Sequence, residues 1–397
     1  MRLSQFTRHL KPSETLAIST KAKALRAQGR DVIDFGLGEP DFNTPGNIIR
    51  AAEHAMAEGF TKYTPPSGLP ALRQAIADKL QRENHLAYTP EQIIVSCGAK
   101  HVLYNLAMVL VDPGDEVLIP GPYWVTYPIQ VALAGGSPVI IPTTAEDGFK
   151  ITGTVLRQYI TPRTKGIILN SPCNPTGAVY TPEELEDLAR VLLETDLYII
   201  TDEIYEHLVY DGITQISMAT LHPALKERSI IVNGFSKSYA MTGWRLGYCA
   251  GPHHVIDACG QLQSQSTSNP TAFAQVAAIE ALIGPQDSVH AMAQAFEHRR
   301  NFVVSRLNAI DGITCPTPHG AFYTFPRVDG LFGRHTPGHT LKTSADVGDY
   351  LLEAAGVALV PGEGFGDDRH LRLSYAASME ELEQGLQRIA AAVQQLT

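Results

Sequence analysis

A lysine set among small and apolar neighbours is the residue of this chain most able to do chemistry. It is Lys237, in the run Asn233-Gly234-Phe235-Ser236-Lys237-Ser238-Tyr239-Ala240-Met241-Thr242-Gly243-Trp244-Arg245. A lysine amine becomes a nucleophile when partial burial and nearby cationic or polar groups loosen its proton. Its ordinary product with a carbonyl is a Schiff base. Ser236, one residue before it, and Arg245, eight residues after it, are suited to holding a phosphate close to that bond. Taken alone, a lysine in a polar loop is more often a solvated surface residue, so the segment needs support from elsewhere.

Other segments supply that support. Thr201-Asp202-Glu203-Ile204-Tyr205 ends a predicted strand with an aspartate able to pair with the protonated nitrogen of a pyridine ring. An electron-poor pyridine is what lets pyridoxal 5′-phosphate (PLP) accept the electrons of a carbanion. Tyr205 is placed to bring its phenol to the ring's oxygen, while helix capping is the plain alternative for Asp202. Ser171-Pro172-Cys173-Asn174-Pro175-Thr176-Gly177 carries prolines and a glycine that impose a fixed, bent loop, suited to presenting the Asn174 amide to a ligand oxygen. Gly98-Ala99-Lys100 joins a strand to a helix, where small residues and free amides make an anion seat; an ordinary turn has the same composition. Tyr123-Trp124 offers an aromatic face to a flat ring, or equally a core tryptophan. Arg372, in His370-Leu371-Arg372-Leu373-Ser374-Tyr375, lies in an alternating strand. Pointing inward it needs a carboxylate, which its planar fork grips at two points; pointing outward it is an edge charge. No Gly-x-x-x-x-Gly-Lys-Ser/Thr loop is present, and no Gly-x-Gly-x-x-Gly follows a strand, which weakens nucleotide readings.

These residues must be positioned by a framework, and its order is legible. Helices are predicted over 15–28, 46–58, 69–84, 100–110, 182–194 and 271–282, and short strands over 31–36, 93–96, 117–120, 138–142, 166–170, 197–201, 229–233 and 246–250. Strands apolar on both faces that alternate with helices indicate an α/β fold with a mostly parallel sheet covered by helices. Beyond a Gly-Pro break, a long helix over 287–309, further strands, a Gly/His-rich loop at 330–339 and a last helix over 379–396 suggest a smaller α+β domain. The expected division is an N-terminal arm and part of the small domain (1–45), a large cofactor-binding domain (46–284) and a small C-terminal domain (285–397). In open α/β sheets functional residues gather at the carboxyl ends of strands, where nearly all of these motifs fall.

Composition narrows the class. A chain of 397 residues is long enough for two lobes, with 44% apolar and 18% charged residues, as in ordinary globular proteins. A formal net charge of −10 argues against nucleic acid as a partner. No apolar run approaches the ~20 residues that span a bilayer, and the first residues form no apolar signal core, so a cytoplasmic location is expected. Five cysteines without a Cys-x-x-Cys pair fit reduced thiols rather than a disulfide framework or a zinc site. The pairs His253/His254 and His335/His339 are expected as solvated loop histidines, and no metal is expected.

Taken together, the blocks 171–177, 201–205 and 236–245 resemble the class I/II aminotransferases, the fold-type I PLP enzymes, and more closely their bacterial aspartate branch. The likeness runs from Lys11-Pro12-Ser13 to Arg372-Leu373-Ser374-Tyr375. It implies a seven-stranded large-domain sheet and a Lys237 that carries the internal aldimine and then shuttles a proton. It implies Asp202 at the pyridine nitrogen, Tyr205 and Asn174 at the ring oxygen, and Trp124 stacked on the ring. Gly98, Ala99, Lys100, Ser236 and Arg245 would surround the phosphate, and Tyr63 would reach the phosphate of a partner subunit in a homodimer. Gly38, Trp124, Asn174 and Arg372 would meet the substrate, with Arg372 on its α-carboxylate. The likeness further implies ping-pong transfer between an amino acid and a 2-oxo acid, aspartate with 2-oxoglutarate favoured. Lys100 and hydroxyls near Ser13 and Thr15 would take the distal carboxylate. Prephenate or aromatic aminotransferases, with Lys11 as a carboxylate contact, are the alternative on the same scaffold. A PLP lyase or synthase, or a silent regulatory domain, stands behind both.

Overall fold

The computed structural model describes residues 14–336 and 338–397. Lys11 and Ser13 lie outside the described residues, and the side chain of Thr15 is likewise outside them. In chain order the strands are β1 (Ile33–Asp34), β2 (Ile93–Ser96), β3 (Glu116–Pro120), β4 (Ser137–Ile141), β5 (Thr164–Asn170), β6 (Tyr198–Asp202), β7 (Ser229–Gly234) and β8 (Gly247–Ala250). They continue with β9 (Tyr323–Thr324), β10 (His335–Thr336), β11 (His339–Thr340), β12 (Val357–Ala358), β13 (Val360–Pro361) and β14 (Leu371–Ser374).

Seven strands form one sheet in the order β2-β8-β7-β6-β5-β3-β4. Neighbours from β4 through β7 run parallel, and β8 alone is reversed, pairing antiparallel with both β2 and β7. The carboxyl ends of β2, β3, β5, β6 and β7 therefore open on one edge of the sheet. Every residue of β2, β6, β7 and β8 is buried, as strands of a sheet covered by helices on both faces must be. Alternation decides which helices each strand residue meets. Ile93 and Val95 pack with residues of helices Pro70–Asn84 and Ala272–Ile283, whereas Ile94 packs with those of helices Ala99–Leu110 and His253–Ser266.

A second apolar core joins the two ends of the chain. β1 pairs parallel with β12, and β13, β14 and β9 form an antiparallel sheet. Ile33 and Phe35 share one cluster with residues of helices Asp287–Asn308 and Met379–Val393. The predicted helices and strands form close to their expected bounds. Helices Thr126–Leu133, Gly153–Tyr159, His253–Ser266 and Ser344–Tyr350 were not anticipated. The first contains a proline and the third a glycine and many polar residues, which mask helical periodicity. The 330–339 segment, expected as a loop, contains a 3-10 turn and the short β10–β11 hairpin. His253, His254, His335 and His339 are exposed, as expected, but lie in a helix and in the β10–β11 hairpin rather than in loops. His253 opens a helix and pairs with Asp257 at 2.9 Å, and His339 pairs with Asp346 at 3.1 Å.

Gly247 shows how closely this sheet edge is fitted to the turn after β2. A Cβ at that position would lie 2.2 Å from the Ala99 amide nitrogen and 2.6 Å from the Gly98 carbonyl carbon. Both neighbours are backbone and cannot rotate away. Gly247→Ala is expected to lower the unfolding free energy by about 1–3 kcal/mol. A wild-type midpoint in chemical denaturation would show instead that the turn yields freely.

Candidate active site

The strand ends and the second sheet enclose a cavity of about 460 Å³. Lys237 lines it, on the turn that follows β7. Its ammonium donates to the Gly38 carbonyl oxygen and lies 5.8 Å from the Tyr205 ring centre and 5.6 Å from that of Phe322. Loss of hydration brings its pKa down to about 8, helped by the cations Arg372 and Arg245 and opposed by Glu39 and Asp202. At neutral pH such an amine is in part unprotonated, the form that attacks carbonyls.

Asp202, at the end of β6, is buried. One carboxylate oxygen accepts from the Tyr127 hydroxyl at 2.6 Å and the other from the Ile204 amide at 3.3 Å. Burial pushes its pKa up to about 6, against the pull of both hydrogen bonds and of Lys237. A carboxyl poised in this way is stabilised by any cationic N–H placed before it. Tyr205 is also buried, and its hydroxyl lies 2.9 Å from that of Tyr323.

The anion seat is built at the start of helix Ala99–Leu110. Gly98, with φ of 89°, adopts a conformation that other residues rarely reach, and a Cβ there would stand 2.5 Å from the Arg245 guanidinium. The first amides of a helix have no acceptor within it, so those of Ala99 and Lys100, two residues of the cavity lining, are left to donate to a ligand. Ser236 and Arg245 line the same wall. Lys100 has its pKa lowered by desolvation and by Arg245, two cations crowded where an anion would relieve them. Its ammonium lies 4.9 Å from the centre of the Trp124 ring, which forms another wall.

Arg372 points inward from β14 and is 2% exposed. It donates to Asn174 Oδ1 at 3.0 Å and to the Gly36 carbonyl oxygen at 2.7 Å. Its Nε is buried without a hydrogen-bond partner, and among the described residues it forms no ion pair. A buried guanidinium left in this state calls for an incoming carboxylate. The loop 171–177 is held in place by Asn170, whose side chain accepts from the Asn174 amide and donates to the Asp202 carbonyl.

The structure thus brings Gly38, Ala99, Lys100, Trp124, Asn174, Asp202, Tyr205, Ser236, Lys237, Arg245 and Arg372 to one cavity, with Gly98 outside the lining but against Arg245. Tyr63 is 90% exposed and lies outside that lining. Sequence reasoning missed Tyr127, Tyr323 and Lys23, which also line the cavity. Tyr127 sits in a helix that the sequence hid, and Tyr323 lies in a two-residue strand with no periodicity to read. Among the described residues, no group of three or more His, Cys, Asp or Glu side chains is arranged to hold a metal ion. A carbonyl-reactive amine, a buried carboxyl, an aromatic wall and free helix amides together fit a phosphorylated pyridine aldehyde.

Comparisons with known proteins agree with that chemistry. The family model described as "Aminotransferase class I and II" matches residues 30–389. The chain is 53% identical to an aspartate aminotransferase of Geobacillus stearothermophilus over 392 residues, 98% of both chains. It is 49% identical over 391 residues to an aspartate/prephenate aminotransferase of Cereibacter sphaeroides, again covering 98% of each. The crystal structure of the aspartate aminotransferase from Rhizobium meliloti superposes with a TM-score of 0.97 at 46% identity, covering 100% of both chains.

The lowered pKa of Lys237 has a measurable consequence. Below about 8 the amine is mostly protonated, so covalent capture of PLP by the cofactor-free protein should accelerate with rising pH and level off above that value. Stopped-flow absorbance would record it. A rate still climbing tenfold per unit near pH ~9.5 would show that the amine keeps its ordinary proton affinity.

Proposed function

The chain belongs to the aminotransferase class I and II family, close to its bacterial aspartate branch, and we propose that it is a PLP-dependent aspartate aminotransferase with 2-oxoglutarate as acceptor. The observation that carries the reading is the meeting, in one cavity, of the Lys237 amine, the Asp202 carboxyl and the Arg372 guanidinium, whose buried Nε has no hydrogen-bond partner among the described residues. When bound, PLP supplies a carbonyl that exchanges amino groups and a ring that draws electrons from the substrate α-carbon.

The chain's own residues do the rest. Lys237 would hold the cofactor covalently, and its amine, once freed, would move the proton at the substrate α-carbon. Asp202, steadied by Tyr127, keeps the ring nitrogen protonated, since a carboxylate beside it favours the charged form. Tyr205 and Asn174 would donate to the ring oxygen, and Trp124 would offer its face to the ring. The helix amides at Ala99 and Lys100, with Ser236 and Arg245, hold the phosphate. Arg372 takes the α-carboxylate at the two-point geometry its fork allows, beside Gly38. Lys100 supplies positive charge for a second carboxylate, which favours acidic substrates.

Three coarser features belong to the same reading. Of the segment 1–45, expected as an arm and part of the small domain, the described residues 14–45 would join 285–397 in a small domain that closes on the large domain 46–284. The active protein is a homodimer in which the exposed Tyr63 reaches its partner's phosphate. Exposed Ile49, Met56, Phe60 and Ile283, on or beside two helices that pack together, support such an interface. A cytoplasmic location suits the five free cysteines, and no helix among the described residues is long and apolar enough to cross a membrane.

A second reading, transfer to or from prephenate, is favoured by the likeness to the Cereibacter protein, which carries both names. A panel of aspartate, phenylalanine, alanine and arogenate against 2-oxoglutarate decides between them, with aspartate expected to give the highest kcat/KM. Lys237→Ala should abolish the borohydride-reducible yellow chromophore; its persistence would sink the attachment site. Arg372→Ala should lower kcat/KM for amino acids by roughly 30–150-fold, the loss of a charged two-point contact of about 2–3 kcal/mol. Undiminished kcat/KM in that variant would place the α-carboxylate elsewhere.

A further inference from the structure

Tyr323 stands in the cavity wall without a part in the assignments above. It comes from β9 of the small antiparallel sheet and is inaccessible to solvent. Its hydroxyl lies 2.9 Å from the Tyr205 hydroxyl, and the Arg372 guanidinium lies 4.6 Å from its ring centre. On the opposite side, a Cβ at Gly38 would stand 2.9 Å from that same hydroxyl, so the glycine leaves it room. Two other tyrosines of the same apolar core, Tyr210 and Tyr375, bond the backbone carbonyl of Ala321, as core phenols commonly do. Tyr323 instead spends its hydroxyl on another phenol, at the site.

We infer that Tyr323 is a positioning residue for Tyr205: it donates to the Tyr205 oxygen and thereby aims the single Tyr205 proton at the cofactor's ring oxygen. The inference rests on the PLP reading. A phenol has one proton and two acceptor positions. Were Tyr205 to donate to Tyr323, the ring oxygen would lose its donor, so the proton order must run from Tyr323 to Tyr205 to the ring. A hydroxyl that accepts one hydrogen bond donates the next more strongly.

The test is the pH titration of the visible absorbance of the bound cofactor, in the holoenzyme and three variants: Tyr323→Phe, Tyr205→Phe and the double substitution. A hydrogen bond to the ring oxygen favours the deprotonated chromophore, so weakening that bond moves the midpoint up. Tyr323→Phe keeps the ring and its packing and should raise the midpoint by roughly 0.2–0.7 pH unit. Tyr205→Phe should raise it as well, and adding Tyr323→Phe to that background should change nothing more. An unmoved midpoint in Tyr323→Phe, or an equal shift in both backgrounds, overturns the inference. If the wild-type protein itself shows no pH-sensitive cofactor band, the PLP reading falls first and takes this one with it.

Discussion

The whole site depends on keeping a primary amine in a poorly hydrated cavity without neutralising it completely. Burial alone drives the Lys237 amine toward its neutral form and the Asp202 carboxyl toward its protonated form. Each is partly rescued by the other's charge, and each also holds a hydrogen bond, to the Gly38 carbonyl in one case and from Tyr127 in the other. The balance leaves both groups titrating near neutrality, which is where proton transfer is most efficient. A wetter pocket would restore ordinary pKa values, and a drier one without partners would discharge both groups.

Such a balance requires rigid placement, and the sheet provides it. Lys237 follows β7, Asp202 closes β6 and Asn174 follows β5, three adjacent parallel strands whose ends are held by consecutive ladders. The reversed strand β8 then brings Gly247 against the turn at Gly98 and Ala99, locking the anion seat to the same edge. Helix Ala99–Leu110 adds its free amides without any charged side chain having to be buried. The phosphate end and the amine end of a ligand are therefore set by one sheet.

Most of this was legible in the sequence because the groups that do chemistry sit in short, compositionally unusual turns. The prolines around Asn174, the Gly98-Ala99-Lys100 step and the Lys237–Arg245 spacing each limit the backbone strongly enough to be read locally. The parallel sheet was legible from strands apolar on both faces. What escaped was whatever depends on contacts distant in sequence. Tyr127 matters through Asp202, 75 residues away, and Tyr323 through Tyr205, 118 residues away. Neither residue type nor local spacing marks such a partner, since buried tyrosines are common in any core. The helix at Thr126–Leu133 was hidden for a related reason: its proline and β-branched residues disfavour helix locally, and packing against the sheet overrides them.

The remaining question is what fixes the distance between Arg372, carried by the small sheet, and Lys237, carried by the large one. The segment 36–44 is the direct link. Gly36 gives its carbonyl to Arg372, and the neighbouring Phe35 carbonyl accepts from the Ser374 amide, two residues along the same strand. Further on, Gly38 receives the Lys237 ammonium, Glu39 accepts from the Thr242 hydroxyl, and Thr44 donates to the Ala240 carbonyl while accepting from the Trp244 indole. One stretch of backbone is thus tied at one end to the guanidinium and at the other to the lysine turn. A covalent bond from Lys237 to a carbonyl carbon would take at least two of the three N–H donors of its ammonium and so weaken its hold on the Gly38 carbonyl. A carboxylate arriving at Arg372 competes for the same guanidinium that holds Gly36. Ligands bound at Lys237 and at Arg372 would therefore act on the two ends of a single strap, the physical link between the small sheet and the lysine turn.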